Sequence, residues 1–346
     1  MKNEKSHIAI VMSFLMLIST VLYALDEHSG EEHSGEKVDF FSSMHWNRKS
    51  ANKLSSLIQA KKVFFNNTTE ASDEIERLHT LENLYNKNVF TGKAERPAVI
   101  PKIIHQIWVG PKTPPEIFKK SQESIKKYHP DWEYRLWTDA DIPALQLHNQ
   151  KFYDLAENFG AKADILRYEL LYKYGGVYLD VDFVCLKSFD VLCQYDLWGA
   201  IQPIDCMAAV CNGVIGAVPG HPILQDCITS LEESWNTYQN GKSHLYNVVE
   251  MTGPLHFQRS FMKFVQDESM YIIALPASFF FPITFGQRSL GTKAQNSRIQ
   301  RKINSLIKPE AFAIHYWAAS WWDKHQTGVK KTGVKNRKHK KSRHKN

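Results

Sequence analysis

Two aspartates, Asp180 and Asp182, directly follow the short apolar run from Val177 to Leu179. The run predicts a strand, and because side chains alternate along a strand, the two carboxylates are expected to point to one face. Adjacent ionised carboxylates repel each other unless a proton, solvent or a cation offsets their charge. A hard divalent cation with oxygen ligands suits this arrangement, so the pair predicts a Mg²⁺ or Mn²⁺ site.

A helix is expected to precede this strand and to carry two further charged groups. Between residues 163 and 174 the leucines recur at helical spacing, and Gly175 and Gly176 then supply the flexible residues that commonly end a helix. Asp164 and Arg167 lie three positions apart, so they share one edge of the predicted helix. Their charged groups can therefore converge on one ligand.

These residues belong to a stretch, Ala161 to Asp182, that resembles the sugar-binding region containing the DXD motif of glycosyltransferase family 32. That family includes fungal initiating mannosyltransferases and inositol-phosphoceramide mannosyltransferases, and the glucosyltransferase domains of large clostridial toxins carry a similar block. The resemblance covers roughly residues 98–325. The flanking blocks in the family's order are Ile100–Gly110, Tyr128–Asp139, Asn212–Ala217, Thr252–Pro254 and His315–Trp317 with Ser320–Trp321.

The alternation of strand-like and helical segments predicts an α/β sheet covered by helices. Ligands of such sheets lie beyond the carboxyl ends of the strands, where Asp180 and Asp182 fall. The resemblance implies a GT-A nucleotide-sugar-binding fold, which is a Rossmann-like mixed sheet. The predicted strands are Ile103–Val109, Tyr134–Trp137, Val177–Leu179 and Val214–Val218, and the predicted helices are Pro115–Tyr128, Ala163–Tyr174 and Ile223–Tyr238.

The resemblance also implies a donor-binding group of residues. Trp108 would stack on the nucleotide base, with a core tryptophan as the alternative. Asp164 would accept hydrogen bonds from ribose or sugar hydroxyls, and Arg167 would hold the sugar or the diphosphate, whereas a surface salt bridge between the two is the alternative. Asn212 would lie near the sugar, or else serve a turn before Gly213.

The metal and leaving-group residues follow from the same resemblance. Asp180 would contact ribose and the metal, Asp182 would be the firmer metal ligand, and His315 would be a third ligand. Ser320 and Trp321 would contact the departing diphosphate. An aromatic core seam is the alternative for this last segment.

The implied reaction transfers a hexose, with mannose favoured, from a nucleotide diphosphate sugar to a hydroxyl of a glycan, a glycolipid or a protein. Asp180, Asp182 and Arg167 would carry it, with retention of anomeric configuration. A haloacid-dehalogenase phosphatase is a second interpretation, because Val177–Val184 also fits its nucleophile strand, but its later acidic metal motif is missing. An inactive, membrane-tethered carbohydrate-binding protein is a third.

The N-terminal segment predicts attachment to a membrane. Ile8 to Leu25 is an apolar run long enough to nearly cross a bilayer, and the basic residues before it with the acidic residues after it favour a cytoplasmic N-terminus. The catalytic domain would then lie on the far side, or be secreted if the segment is cleaved. The expected divisions are a signal anchor or signal peptide (1–25), an acidic linker (26–40), a helical stem that alternatively packs on the catalytic domain (41–97), the catalytic domain (98–325) and a basic tail (326–346).

The distribution of charge and the cysteine content argue against nucleic-acid binding and against a structural zinc site. The formal net charge is +7, but residues 330–346 carry nine Lys or Arg and no acid, which leaves about −2 for the rest and argues against nucleic acid as the partner. The five cysteines are odd in number and lack a paired C-x-x-C pattern, which argues against structural zinc. Buried thiols or one or two disulfide bridges are the remaining interpretations.

Overall fold

The computed structural model describes residues 38–44, 71–88, 90, 92–239, 244–294 and 296–318. The predicted signal anchor, most of the acidic linker, the basic tail, Ser320 and Trp321 lie outside these residues. No helix among the described residues is long and apolar enough to span a membrane. The chain divides into two compact units, 39–89 with 94–346 and 1–38 with 90–93, and the sheet and the candidate site belong to the former.

A mixed six-stranded sheet forms the centre of the larger unit, which confirms the predicted α/β class. Its strands run in the order β2-β1-β3-β6-β5-β7, and β6 is antiparallel to both of its neighbours while the other pairs are parallel. A separate antiparallel pair joins β4 to β8. The strands are β1 (Ile103–Ile107), β2 (Glu133–Trp137), β3 (Gly176–Leu179), β4 (Phe183–Cys185), β5 (Leu197–Ile201), β6 (Val210–Ala217), β7 (Ile272–Leu275) and β8 (Ala313–His315).

Helices cover the sheet, and one predicted helix is wrong in its extent. The segment from Ile223 to Tyr238 forms two helices, because the helix is interrupted at Ser230, whose hydroxyl donates to the Asp226 carbonyl at 2.6 Å. The helices are α1 (Phe40–Ser43), α2 (Ala71–Lys87), α3 (Glu116–Tyr128), α4 (Ile142–Leu145), α5 (Gln150–Leu155), α6 (Phe159–Tyr174), α7 (Pro222–Thr229), α8 (Leu231–Tyr238), α9 (His244–Met251), α10 (Pro254–Lys263) and α11 (Ser297–Asn304), with 3₁₀ turns at Asp190–Leu192, Ala277–Phe279 and Phe285–Lys293.

The helix before the acidic pair begins earlier than predicted. Asn158 caps α6 by accepting from the backbone N–H of Gly160 at 2.7 Å, so the helix starts at residue 159 rather than 163. Its end is as predicted, since Gly175 and Gly176 both adopt positive φ. A Cβ at Gly176 would lie 2.6 Å from the Ile103 carbonyl oxygen, so only glycine lets β3 pair this closely with β1.

The described part of the predicted stem packs on the domain that carries the sheet. Arg77 of α2 donates to the Ala208 carbonyl at 2.8 Å. Asn88, just beyond the helix, donates to the carbonyl of Ile272 in β7, also at 2.8 Å. Helix α2 therefore packs on this domain, which is the alternative given above to a separate helical stem.

Four buried histidines are held neutral in the folded protein. Nδ1 of His105 accepts from the indole N–H of Trp137 at 3.0 Å, so its Nε2–H donates to the Gly175 carbonyl at 2.9 Å. Protonation of His105 Nδ1 would place its N–H against the indole N–H of Trp137, so that two donors would face each other. Burial is the largest cause that lowers the pKa to about 4 in each of His105, His129, His221 and His256.

We expect these histidines to make the fold sensitive to acid. Their pKa values are near 6.5 in the unfolded chain and about 4 in the folded one, so the unfolded state binds more protons between these values. The free energy of unfolding is therefore highest above pH ~6.5 and falls as the pH is lowered towards ~4, by about 1.4 kcal/mol per unit for each histidine. Urea unfolding at about pH 7 and about pH 5 measures this loss.

The exposed His148 provides the control, because His148→Asn should leave the pH dependence unchanged. His256→Gln should weaken it. Equal stability of the wild-type protein at both pH values would contradict the expectation.

Candidate functional site

The candidate site lies at the edge of the sheet where the carboxyl ends of β1, β3 and β5 meet the amino end of β6. A cavity of about 670 Å³ opens there. Its lining includes Trp108 after β1, Asp180 and Asp182 after β3, Asn212 in β6 and Gln202 after β5. The cavity thus lies beyond the carboxyl ends of the strands, where the ligand site was predicted.

The two aspartates converge through a turn. Strand β3 ends at Leu179, and the Phe183 N–H donates to the Asp180 carbonyl at 3.1 Å. The expectation that strand alternation aligns the carboxylates is therefore wrong, because residues 180–182 are not extended. A ligand atom of Asp180, one of Asp182 and one of His315 nevertheless lie within 4.8 Å of one another.

The pairing of β4 with β8 brings His315 to the acidic turn. His315 lies opposite Phe183 in this pair, and their rings stack with centroids 4.5 Å apart. Its Nε2 is 3.1 Å from Oδ1 of Asp182. The three side chains come from segments that are far apart in the sequence.

Asp182 is held as an anion. Burial alone would raise the pKa of its carboxyl, but the charge and hydrogen bond of His315 lower that pKa below its ordinary value. The backbone N–H of Ala318 adds to this by donating to Oδ2 at 2.7 Å. The Tyr316 N–H also donates to the Asp182 carbonyl at 3.0 Å, which holds the segment after β8 against the turn.

Asp180 is the more exposed acid of the pair, with 32% of its side chain accessible. Burial raises the pKa of this carboxyl and the Asp182 charge adds to the rise, while Arg167 opposes both. The Tyr178 hydroxyl donates to Oδ1 at 2.6 Å. A Cβ at Gly213 would lie 2.7 Å from Oδ2, so a glycine is needed where β6 passes this carboxylate.

Arg167 joins the two halves of the site. Its guanidinium lies 3.0 Å from Oδ1 of Asp164 and 3.2 Å from Oδ1 of Asp180, and it donates to the Asn212 carbonyl at 2.7 Å. It also lies over the Tyr178 ring, 4.3 Å from the centroid. Only 6% of the Arg167 side chain and 8% of that of Asp164 are exposed. The salt bridge that was the alternative does form, but it is buried rather than at the surface.

Asp164 contacts three polar side chains in the interior, Arg167 by an ion pair and two others by hydrogen bonds. Besides Arg167, Asn212 Nδ2 donates to it at 2.8 Å and the Thr252 hydroxyl at 2.9 Å. Burial raises the pKa of Asp164 to about 6, against the opposing charge of Arg167. Asn212 lies inside β6, so the alternative of a turn role is wrong.

Three contact residues were missed by sequence reasoning, which assigned no role to Tyr168, Tyr178 or Thr252. Tyr168 accepts from Asn212 Nδ2 at 2.9 Å and donates to the Thr252 carbonyl at 2.7 Å. Tyr168 lies one helical turn after Asp164, and that spacing was the available signal. Thr252 carries no comparable local signal.

Trp108 and Trp317 contribute aromatic walls to the cavity. The half-buried indole of Trp108 donates to the Lys112 carbonyl at 2.8 Å and stacks on Phe118, with centroids 6.2 Å apart. The Trp317 ring lies 4.3 Å from that of His315. Trp317 therefore lines the cavity and also packs against an aromatic ring. Aromatic packing was the alternative expected for the segment that follows His315.

The donor set of the acidic cluster fits a hard divalent cation. Two carboxylates supply oxygen ligands of the kind that Mg²⁺ and Mn²⁺ prefer, and an imidazole completes the group. Nδ1 of His315 is buried and has no hydrogen-bond partner among the residues that the structure describes. The site accordingly offers one imidazole and two carboxylates around one point.

Comparison with known proteins places this site in a family. Residues 115–198 match the family model described as "Glycosyltransferase sugar-binding region containing DXD motif". The chain is 33% identical to inositol phosphoceramide mannosyltransferase 3 of Schizosaccharomyces pombe, over 51% of this chain and 48% of that protein. It is 30% identical to an uncharacterized glycosyltransferase of Acanthamoeba polyphaga mimivirus, over 51% of this chain and 70% of that protein. The chain belongs to the DXD-containing glycosyltransferases.

Membership of this glycosyltransferase family confirms the predicted enzyme class. The phosphatase and the inactive binding protein are not favoured. The chain spans about half the length of the S. pombe mannosyltransferase that it matches. Among solved structures, the PaToxG glycosyltransferase is similar, with a TM-score of 0.41 and 19% identity over 69% of this chain and 89% of that chain.

The glycosyltransferase has five free cysteines, so the predicted alternative of disulfide bridges is wrong. Cys206 and Cys211 line the cavity. Burial raises the pKa of the Cys211 thiol well above its usual range, so this thiol is protonated at neutral pH. The Cys211 thiol is therefore not one of the charged groups that face the cavity.

Proposed function

We propose that this chain is a metal-dependent, retaining hexosyltransferase of the GT-A type. It would move a hexose from a nucleotide diphosphate sugar to a hydroxyl of a glycan, a glycolipid or a protein. The observation that carries this proposal is the convergence of Asp180, Asp182 and His315 within 4.8 Å of one another at a cavity of about 670 Å³. Mannose is favoured as the hexose, and a glycolipid as the acceptor, because similar proteins are named inositol phosphoceramide mannosyltransferases.

The donor would lie along the sheet edge. Trp108 would stack on the base, and the Asp164 carboxylate would accept from hydroxyls of the ribose or the sugar. Arg167 suits phosphate or sugar oxygens because its guanidinium is planar and carries several donors. Asn212 supports this pair through its bond to Asp164. Ser320 and Trp321 are proposed, from family resemblance, to contact the diphosphate.

The acidic cluster would hold the cation. Asp180, Asp182 and His315 would be ligands of Mn²⁺ or Mg²⁺, which, when bound, offsets the negative charge that develops on the leaving phosphate. The Arg167 guanidinium, 3.2 Å from Asp180, supplies a second positive charge beside the same region. In the transfer, the bond between the anomeric carbon and the diphosphate oxygen breaks and a bond to the acceptor oxygen forms.

Retention can proceed by attack from the side that the diphosphate leaves. The proton of the acceptor hydroxyl then passes to an oxygen of the departing phosphate, so no side chain need act as a base. This route fits a site in which each of the acids Asp164, Asp180 and Asp182 already contacts Arg167 or His315.

We also propose that the segment Ile8–Leu25 attaches this catalytic domain to a membrane, with the N-terminus in the cytoplasm. The apolar run and the charges on either side of it support this proposal. Cleavage after the run would release the domain instead.

A panel of donors tests the proposed function. We expect one nucleotide diphosphate sugar among GDP-mannose, UDP-glucose, UDP-galactose and UDP-N-acetylglucosamine to raise Tm in the presence of Mn²⁺, because a ligand at ~100 times its Kd stabilises by about 2.7 kcal/mol. The same donor should then be hydrolysed slowly without an acceptor. Thermal shift followed by a hydrolysis assay measures both effects.

The control for this panel is chelation, since EDTA should remove the donor-dependent rise in Tm. Absence of stabilisation and of hydrolysis with every donor would contradict the proposal. Release of phosphate from a phosphomonoester without any nucleotide sugar would instead support the phosphatase.

A further inference from the structure

Gln202 places a buried amide in the wall of the cavity. The residue is 6% exposed, and its Oε1 has no hydrogen-bond partner within the described parts of the chain. Its backbone N–H donates to the Ala209 carbonyl at 2.8 Å and so extends the pairing of β5 with β6. The main chain is therefore held in place at Gln202, while Oε1 of its side chain stays unpaired among the described residues.

Such an amide points to a ligand. Buried polar groups in native proteins nearly always have a hydrogen-bond partner, and an unpaired one costs stability. A glutamine amide carries an acceptor oxygen and two N–H donors, so it can accept from one hydroxyl and donate to its neighbour. Sugar rings present hydroxyls in this way.

The strand order shows on which side of the cavity this amide lies. Along the site edge, the order β1-β3-β6-β5 places Trp108 first, then Asp180, then Asn212, and finally Gln202. Neighbouring strands are about 4.8 Å apart, so Gln202 follows β3 by two strand spacings, on the side away from Trp108. A donor with its base at Trp108 and its diphosphate at the acidic cluster would have its hexose and the acceptor on the Gln202 side.

We propose that Gln202 binds a hydroxyl of a sugar ring at this end of the cavity and thereby selects the sugar. This inference rests on the proposed transferase function. The sugar is either the hexose of the donor or a sugar of the acceptor, since both present the same hydroxyl chemistry. Gln202 thus determines specificity at the end of the cavity opposite the base.

The test replaces the amide by an apolar chain of similar length. Gln202→Met should leave Tm unchanged, because Oε1 of the amide has no hydrogen-bond partner to lose among the described residues, and should lower kcat/KM for transfer by about 10- to 100-fold. If the donor hexose is the ligand, donor hydrolysis without acceptor falls by the same factor. If an acceptor sugar is the ligand, hydrolysis stays at the wild-type rate and the KM for the acceptor rises.

Gln194→Met is the matched control. Gln194 is equally buried, but its Oε1 accepts from the Glu95 N–H at 2.8 Å and its Nε2 donates to the Val191 carbonyl at 2.9 Å. This control should lower Tm and leave the kcat/KM of the folded protein unchanged. Gln202→Asn, which keeps the amide but shortens its reach, serves as a second variant if Gln202→Met does not fold, and a 10-fold or greater loss in it would support the proposal equally.

The inference would be overturned if the folded variant shows wild-type hydrolysis, wild-type transfer and an unchanged acceptor KM. It would also be overturned if both Gln202→Met and Gln202→Asn lower Tm as much as Gln194→Met does, because the amide would then have a structural partner. Failure of the wild-type protein to bind or hydrolyse any donor is a different result, since it rejects the transferase function before Gln202 is tested.

Discussion

Replacing Asp182 by asparagine is expected to lower kcat/KM for donor hydrolysis by about 10²- to 10³-fold. It should also remove the Mn²⁺-dependent rise in Tm with donor. Asp182 is the acid that the site holds as an anion, with His315 at 3.1 Å and the Ala318 N–H at 2.7 Å. An amide keeps the shape of this residue but removes the negative charge that a hard cation requires. Hydrolysis kinetics and thermal shift with and without Mn²⁺ measure the two effects.

Asp131→Asn is the control for this change. Asp131 lies at the surface, where it pairs with Lys102 at 2.7 Å, and it does not line the cavity. Its substitution should leave hydrolysis and the Mn²⁺-dependent shift unchanged. Wild-type hydrolysis by Asp182→Asn would exclude this carboxylate from the reaction and so reject the assigned metal site.

The largest combined effect on activity and stability is expected for Arg167→Met. The guanidinium is the shared partner of Asp164 and Asp180, so its removal leaves one buried and one partly buried carboxylate without their cation. Removing one partner of a buried ion pair typically costs about 3–5 kcal/mol. Urea unfolding should show a loss of this size, and donor hydrolysis should fall by at least about 10²-fold.

Arg167→Lys separates charge from shape. A lysine retains the positive charge but lacks the planar fork that reaches both carboxylates, so stability should be partly retained while hydrolysis stays low. Lys151→Met is the control, because Lys151 forms an exposed pair with Glu232 at 3.5 Å and such pairs contribute little. Equal losses of stability in Arg167→Met and Lys151→Met would contradict the assignment of Arg167 as a buried partner of both acids.

The parts of the fold that were predicted correctly depend on short stretches of sequence. The helix that ends at Tyr174, the glycine pair after it and the strand that precedes Asp180 are each specified by neighbouring residues. The predicted helix bounds were wrong where the local pattern of apolar residues was weak. The start of α6 was placed too late because its first turn shows little periodicity, and the break at Ser230 was missed because serine also occurs inside helices.

The candidate site was predicted in part for the same reason. Asp164 and Arg167 share a helix edge, and their side chains lie 3.0 Å apart as an i, i+3 pair. Their burial did not follow from this spacing, because it depends on Tyr178 below the guanidinium and on Asn212 and Thr252 beside the carboxylate. These contacts join α6 to β3, to β6 and to the segment before α10.

In this glycosyltransferase, the local order of elements around the acidic pair and the positions of His315 and Gln202 have different physical origins. The sequence by itself determined the order of helix, glycine pair, strand and acidic pair, and hence the chemistry of the two carboxylates, because these depend on residue type and short spacing. Only the tertiary structure decided that His315 reaches Asp182 and that Gln202 lies across the cavity from Trp108. These positions follow from the pairing of β4 with β8 and from the order of strands in the sheet, which arise from contacts between residues far apart in the chain.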